Sequence, residues 1–242
     1  MFGYEDLIAS EQEVYNIISV RLKGFYEVGP KFVDLCFYLH QSFGEVDDVA
    51  TPNGELQSIA SIHYAQLPYT VNLIYEQIMK GYYLESQILM RHLFETLLQL
   101  KYFYNHPEEL KAHMKHNIQI KTMVDDITKN PLYNYYRQLC SYAHGFIMKD
   151  IHRTDRKINR TYLGNIYNED NCTVPINYLF QMVLGFINVY DDIFKKNTIK
   201  CKVEARELKI YIRNFCVSAI DSHIKVNPGS KKWYDAMSDL IF

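Results

Sequence analysis

Between Tyr82 and Asn105 the apolar residues recur at helical spacing, not at the alternation of a strand. Leu84, Ile88, Leu89, Leu93, Phe94, Leu97, Leu98 and Leu100 cover a face too wide for a helix with one dry stripe. A helix so covered has to be enclosed by others, which makes residues 82–105 the centre of a helical bundle. Gln87, Arg91, Glu95 and Gln99 follow one another at intervals of four in the same stretch. Arg91 and Glu95 are therefore placed to pair. Facing solvent, such a pair contributes only a few tenths of a kcal/mol. Facing inward, it forms a polar network that orients groups on a neighbouring helix.

The rest of the chain supplies the enclosure. Residues 4–24 have a helical period, with acids early and basic residues late, as the helix dipole favours. Gly29-Pro30 is expected to close that helix, and a second runs over 31–43. Glu45 to Gly54 holds Asp47, Asp48, Pro52 and Asn53-Gly54 and reads as an exposed loop. A helix over 55–80 contains Pro68, where a kink or break is expected near Leu67. Pro107 opens a helix expected to reach Ile127, and Asn130-Pro131 ends it and begins another that stops at Gly145.

Residues 146–173 lose the helical period. They read as a long irregular insert, with a β-hairpin possible around Gly164-Asn165. Helices over 174–194 and 203–224 follow, then a short apolar one carrying Trp233, Tyr234, Met237, Leu240 and Ile241. The fold class expected is all-α: a single domain over 1–242 of about eight helices. Its parts are N-terminal helices over 1–80, a core over 81–225 containing the insert, and a C-terminal helix over 226–242.

Chemistry concentrates in the helix that ends at Gly145. Tyr133, Arg137, Ser141 and His144 fall on one stripe, and Arg137 and His144 stand about 10 Å apart along the axis. A permanent cation and an imidazole that titrates near neutrality share that face. By itself the pattern also fits a surface cation beside a core or C-terminal histidine.

The stretch Tyr136-Arg-Gln-Leu-Cys-Ser-Tyr-Ala-His-Gly145 resembles the R-x4-6-H signature of the HEPN superfamily, whose Arg is usually followed by a polar residue, here Gln138. Leu89-Met-Arg91-His-Leu-Phe-Glu95 is similar to the Leu-x-Arg-x-x-x-Glu helix of one bacterial branch of uncharacterised HEPN-like proteins. The resemblance covers roughly residues 80–225. The spacing of six is at the long end of the motif, and the first 80 residues match no part of the family.

The resemblance implies a metal-independent endoribonuclease, a bacterial toxin or antiphage effector. His144 would move protons at the ribose 2′-hydroxyl, and Arg137 would hold the charge that develops on the phosphate. Arg91, Glu95, Gln138, Ser141 and Tyr133 would support the pair. By their position, leaving directly from the motif, Lys149, Arg153, Arg156 and Lys157 fit a role holding RNA phosphates and equally fit a solvated loop of mixed charge. No cofactor is implied. The partners implied are RNA, a second copy across the motif helix, and an antitoxin or another defence-system subunit. The alternative is a non-catalytic module of the same fold that binds a partner protein or a nucleotide.

Composition narrows the setting. A net charge of -2 gives no bulk attraction to nucleic acid, so any RNA contact has to be local. Cys36, Cys140, Cys172, Cys201 and Cys216 are scattered singly, as reduced thiols of a cytoplasmic protein would be. No signal peptide is read at Met1–Asp6. The most apolar run, Val174 to Tyr190, contains Asn177, Gln181 and Asn188 and reads as a buried helix, not a membrane span. Dinucleotide and phosphate loops, Glu-x-x-His and His-Glu-x-x-His metal motifs, zinc spacings and a nucleophile elbow are all missing, so no metal site is expected. His113 and His116 lack a matching carboxylate and read as part of a solvated face.

Overall fold

Nine α-helices follow one another among the described residues of the computed structural model, which are 3–41, 47, 49–116, 118–127, 131–143, 154–155, 160–161, 165–194, 203–232 and 234–235. They are α1 (Tyr4–Arg21), α2 (Lys23–Gln41), α3 (Pro52–Met79), α4 (Tyr83–Asn105), α5 (Leu110–His116), α6 (Ile120–Ile127), α7 (Pro131–Ala143), α8 (Glu169–Ile193) and α9 (Val203–Val226). Among these residues the paired strands are β1 (Thr154–Asp155) and β2 (Arg160–Thr161), antiparallel with Thr154 opposite Thr161. The all-α expectation is met.

Three helices make the centre. Residues 56–75 of α3 contain no charged side chain, and α3 packs against α2, α4 and α8. α4 buries residues from Tyr83 to Phe103 on several sides, which is what its wide apolar face requires. α8 is buried almost all round, from Cys172 to Ile193. By length and composition it is apolar enough to cross a bilayer, but 78% of that window is buried inside the protein, against α2, α3, α4 and α9. Phe32 of α2 stacks face to face on Phe180 of α8, with centroids 3.8 Å apart. The Tyr64 hydroxyl donates to the Phe186 carbonyl at 2.6 Å, which pins α3 to α8.

Several boundaries differ from the sequence reading, each for a local reason. The first helix does not last to Gly29-Pro30; it breaks at Leu22 (φ -113, ψ 41), and α2 runs straight through Pro30. Proline removes the donor that would reach the Tyr26 carbonyl. The Tyr75 hydroxyl of α3 supplies it instead, at 3.2 Å. The Tyr75 ring lies so close to Gly29 that a Cβ there would stand 2.2 Å from it. Gly29-Pro30 is the seat of a neighbouring ring, not a stop signal.

α3 likewise continues through Pro68, which is buried between Leu67 and Val71 in the same core-facing turn. It starts at Pro52, earlier than expected, because the Thr51 hydroxyl accepts from Gly54 N–H at 3.1 Å. Of the expected loop before it, residues 45, 46 and 48 lie outside the described residues. The helix expected over 107–127 is instead a 3₁₀ turn (Pro107–Glu109), α5 and α6. The break is held by Ile118 N–H donating to His113 Nδ1 at 2.9 Å. His113 is thus half-buried against Phe103 and not on a solvated face, and burial lowers its pKa. The side chain of His116 lies outside the described residues.

The hairpin sits at β1 and β2, not around Gly164-Asn165; Gly164 is outside the described residues, and Asn165 is a buried tether. Its Nδ2 donates to the Lys80 carbonyl at 2.8 Å, and its backbone N–H donates to Ser10 Oγ at 3.3 Å. The receiving corner is the end of α3. Gly81 has φ 84, and Tyr82 N–H and Gly81 N–H reach back to the Gln77 and Ile78 carbonyls at 2.8 and 3.0 Å. α8 begins at Glu169 and not near 174, because Asn168 caps it through Asn171 N–H at 2.9 Å. At the C-terminal end Tyr234 is buried against Tyr178 and His223, and residues 236–242 of the expected last helix lie outside the described residues.

Candidate functional site

α7 begins with Pro131 at its first position, where a missing N–H costs nothing. Its apolar stripe, Tyr135 and Leu139, is buried, and the Tyr135 ring meets Phe94 of α4 and Tyr178 of α8 edge-on, with centroids 5.6 and 5.0 Å apart. That packing fixes the rotation of α7 and so decides which residues face outward.

Arg91 and Glu95 pair as their spacing requires, Nε to Oε1 at 3.0 Å, with about a quarter of each side chain exposed. The same Oε1 accepts the Tyr136 hydroxyl of α7 at 2.9 Å, and the Arg91 guanidinium lies over the Tyr136 ring, 5.7 Å from its centroid. The pair is therefore half-buried against the motif helix. Burial first, then hydrogen bonding with Cys140 and Glu95, raises the Tyr136 pKa, so the phenol is a fixed donor at neutral pH. Burial opposes the charge on Arg91, but the Glu95 hydrogen bond and charge outweigh it and raise its pKa.

Arg137 is exposed one residue on, and it forms no ion pair among the described residues. The Arg91–Glu95 pair engages Tyr136 and not Arg137. Gln138 is exposed; Ser141 donates its hydroxyl to the Gln138 carbonyl of its own helix at 2.7 Å. Tyr133 is half-buried beside Tyr136, with Lys121 Nζ 6.0 Å from its ring centroid. His144, Lys149, Arg153, Arg156 and Lys157 lie outside the described residues. The structure thus brings Arg91, Glu95, Tyr136 and Tyr133 together and leaves Arg137 facing water beside them.

Tyr136 is the residue that sequence reasoning missed as a member of this group. The signal was available: it directly precedes Arg137 and stands one position after the buried Tyr135, at the edge of the apolar stripe. Chemically, the surface offers a guanidinium with five donors and no ion pair among the described residues, suited to a phosphate, on a helix held from below by a charged network.

One trio among the described residues has metal-donor chemistry: His106, Glu108 and Glu109 place donor atoms within 4.8 Å of one another. His106 Nε2 is already 3.0 Å from Asp126, and Glu109 accepts the Tyr102 hydroxyl at 2.7 Å. The two glutamates occupy the first turn of a helical segment, where the dipole accounts for them. No family model, curated protein or solved structure matches this chain.

Proposed function

We propose that the chain is a HEPN-like, metal-independent endoribonuclease of the toxin or antiphage kind, acting in the cytoplasm as a homodimer paired through α7. The observation that carries this reading is the exposed Arg137, without an ion pair among the described residues, on a helix held by the Tyr135 packing and the Tyr136–Glu95 hydrogen bond. Arg137 holds the non-bridging phosphate oxygens, and His144 takes the proton from the 2′-hydroxyl that attacks the phosphorus. The imidazolium so formed gives its proton to the leaving 5′-oxygen, and the upstream fragment keeps a 2′,3′-cyclic phosphate. Lys149, Arg153, Arg156 and Lys157 of the insert hold flanking phosphates. The fold that goes with this reading is a single-domain bundle, with the insert and its short hairpin crossing between α7 and α8.

Incubating the purified protein with RNA in the presence of a chelator tests it. Wild type is expected to leave cyclic-phosphate ends, and Arg137→Ala and His144→Ala are expected to abolish cleavage with unchanged melting temperatures. Full cleavage by both variants sinks the reading.

A second reading has its own observation. The Glu95 carboxylate is engaged by Arg91 and Tyr136, and Arg137 forms no ion pair among the described residues. A non-catalytic module that uses Arg137 to bind a partner protein or a nucleotide fits that arrangement. In that case wild type leaves RNA intact, and the Arg137 variant loses binding.

A further inference from the structure

A cleft of about 500 Å³ opens where the α1–α2 corner meets the first turn of α8 and the last turns of α9. It lies on different elements from the Arg137 surface and does not depend on the ribonuclease reading. Its apolar wall is Phe25 and Phe215, edge to face with centroids 5.4 Å apart. The space exists because the residues beside those rings are small. Gly24 is the tightest of them, and a Cβ there would come within 3.2 Å of the Phe215 ring edge. Ser222 of α9 also lines it, with its hydroxyl turned back to the Ser218 carbonyl at 2.8 Å.

The charges on the rim decide what fits. Arg21 contributes a cation from the end of α1, and Asp170 contributes a carboxylate from the start of α8. Both line the cleft, yet neither forms an ion pair among the described residues. The Arg21 guanidinium lies over the Tyr167 ring, 5.4 Å from its centroid, a contact that engages its face and not its N–H donors. Lys23, which also reaches Glu27 at 3.5 Å, and Glu169 add a second charge of each sign, and His223, whose pKa burial lowers against the pull of Asp170, is neutral at pH 7, so the lining carries no net charge. An anion alone would meet the carboxylates, and a cation alone would meet the basic pair. A ligand carrying both charges and an apolar ring satisfies rim and wall together.

We propose that this cleft binds a small zwitterion with an aromatic side chain, the free aromatic α-amino acids being its simplest members. The ammonium faces Asp170, the carboxylate faces Arg21, and the ring packs on Phe25 and Phe215.

Titration calorimetry on the full chain compares L-phenylalanine with phenethylamine, which lacks the carboxylate, and 3-phenylpropionate, which lacks the ammonium. L-phenylalanine is expected to saturate, and each half-ligand to bind roughly tenfold more weakly, the usual loss for one charged hydrogen bond. Arg21→Gln is expected to weaken L-phenylalanine but not phenethylamine, and Asp170→Asn to weaken L-phenylalanine but not 3-phenylpropionate. Gly24→Val fills the cleft and is expected to remove binding; Ser222→Leu, on the opposite wall, gives the same readout should the first variant fail to fold. Absence of saturation by L-phenylalanine, equal affinity of the half-ligands, or unchanged affinity in a folded cleft-filling variant overturns the proposal.

Discussion

The Tyr75 hydroxyl donates to the Tyr26 carbonyl at 3.2 Å, the acceptor that Pro30 leaves without its helical donor. A side chain of α3 thereby completes the hydrogen bonding of α2. Tyr75→Phe is expected to cost about 1–2 kcal/mol, the range for a carbonyl left unsatisfied in a largely buried setting. In a Pro30→Ala background the new N–H can reach the same carbonyl, so the cost of Tyr75→Phe should shrink. Urea unfolding of the four proteins in this cycle measures the coupling, and strict additivity would show that the two donors do not substitute for each other.

Gly29→Ala is expected to be among the most damaging single changes. A Cβ at 2.2 Å from the Tyr75 ring forces the ring or the helix to move. Overpacking of this kind costs roughly 1–3 kcal/mol. Tyr75→Ala should relieve that clash while opening a cavity, so the double variant is expected to lose less than the sum of the singles.

Gly81 combines a left-handed backbone with close contact, since a Cβ there would meet the Asn165 Cβ at 3.0 Å. Gly81→Ala is expected to lower stability by about 1–3 kcal/mol. Asn165→Ala, which loses the side-chain bonds to the Lys80 carbonyl and to Tyr82 but strains no backbone, should cost about 1 kcal/mol. A chemical-denaturation midpoint that falls further for Asn165→Ala than for Gly81→Ala would contradict this order.

Burial lowers the pKa of His63, His113 and His223 below 6.5, with His92 adding to the effect at His63 and Asp170 opposing it at His223. The folded state therefore binds fewer protons than the unfolded chain once the pH drops through 6.5. Stability from these groups is complete above that value and falls as the solution is acidified toward the lower folded values. Urea midpoints at pH 7, 6 and 5 should decline, and His63→Gln should flatten the decline. An unchanged slope in that variant would remove His63 from the cause.

Tyr136→Phe is expected to separate α7 from the Arg91–Glu95 pair. With about a quarter of each charged side chain exposed, the loss should be near 1 kcal/mol and not the several kcal/mol of a fully buried network. Coupling between Tyr136→Phe and Glu95→Gln in a double-mutant cycle checks it; zero coupling would mean that the hydrogen bond contributes nothing in solution.

The elements that carry a sustained 3.6 period were legible in the sequence. α4 and α9 appear where their apolar residues put them, and α8 does so apart from its earlier start at the Asn168 cap, because periodic burial is a local property of the chain. The Arg91–Glu95 pair was legible for the same reason, being two positions on one helix. What the sequence hid was decided between helices. Pro30 read as a stop and Pro68 as a kink or break, and nothing local reveals that Tyr75 supplies a donor beside the first or that the second lies in a packed turn. His113 read as a surface residue because its role, accepting from Ile118 N–H across a break, exists only after the chain has turned. Tyr136 was one tyrosine among many until the rotation of α7 set its hydroxyl on Glu95.

α8 is the most apolar helix, and it packs on α2, α3, α4 and α9. Three of those four precede it in the chain. During synthesis α8 therefore emerges from the ribosome after most of the surfaces that will cover it have been made, and only α9 is still to come. A chain with the same helices in another order would leave its stickiest segment waiting, exposed to chaperones and to other copies of itself.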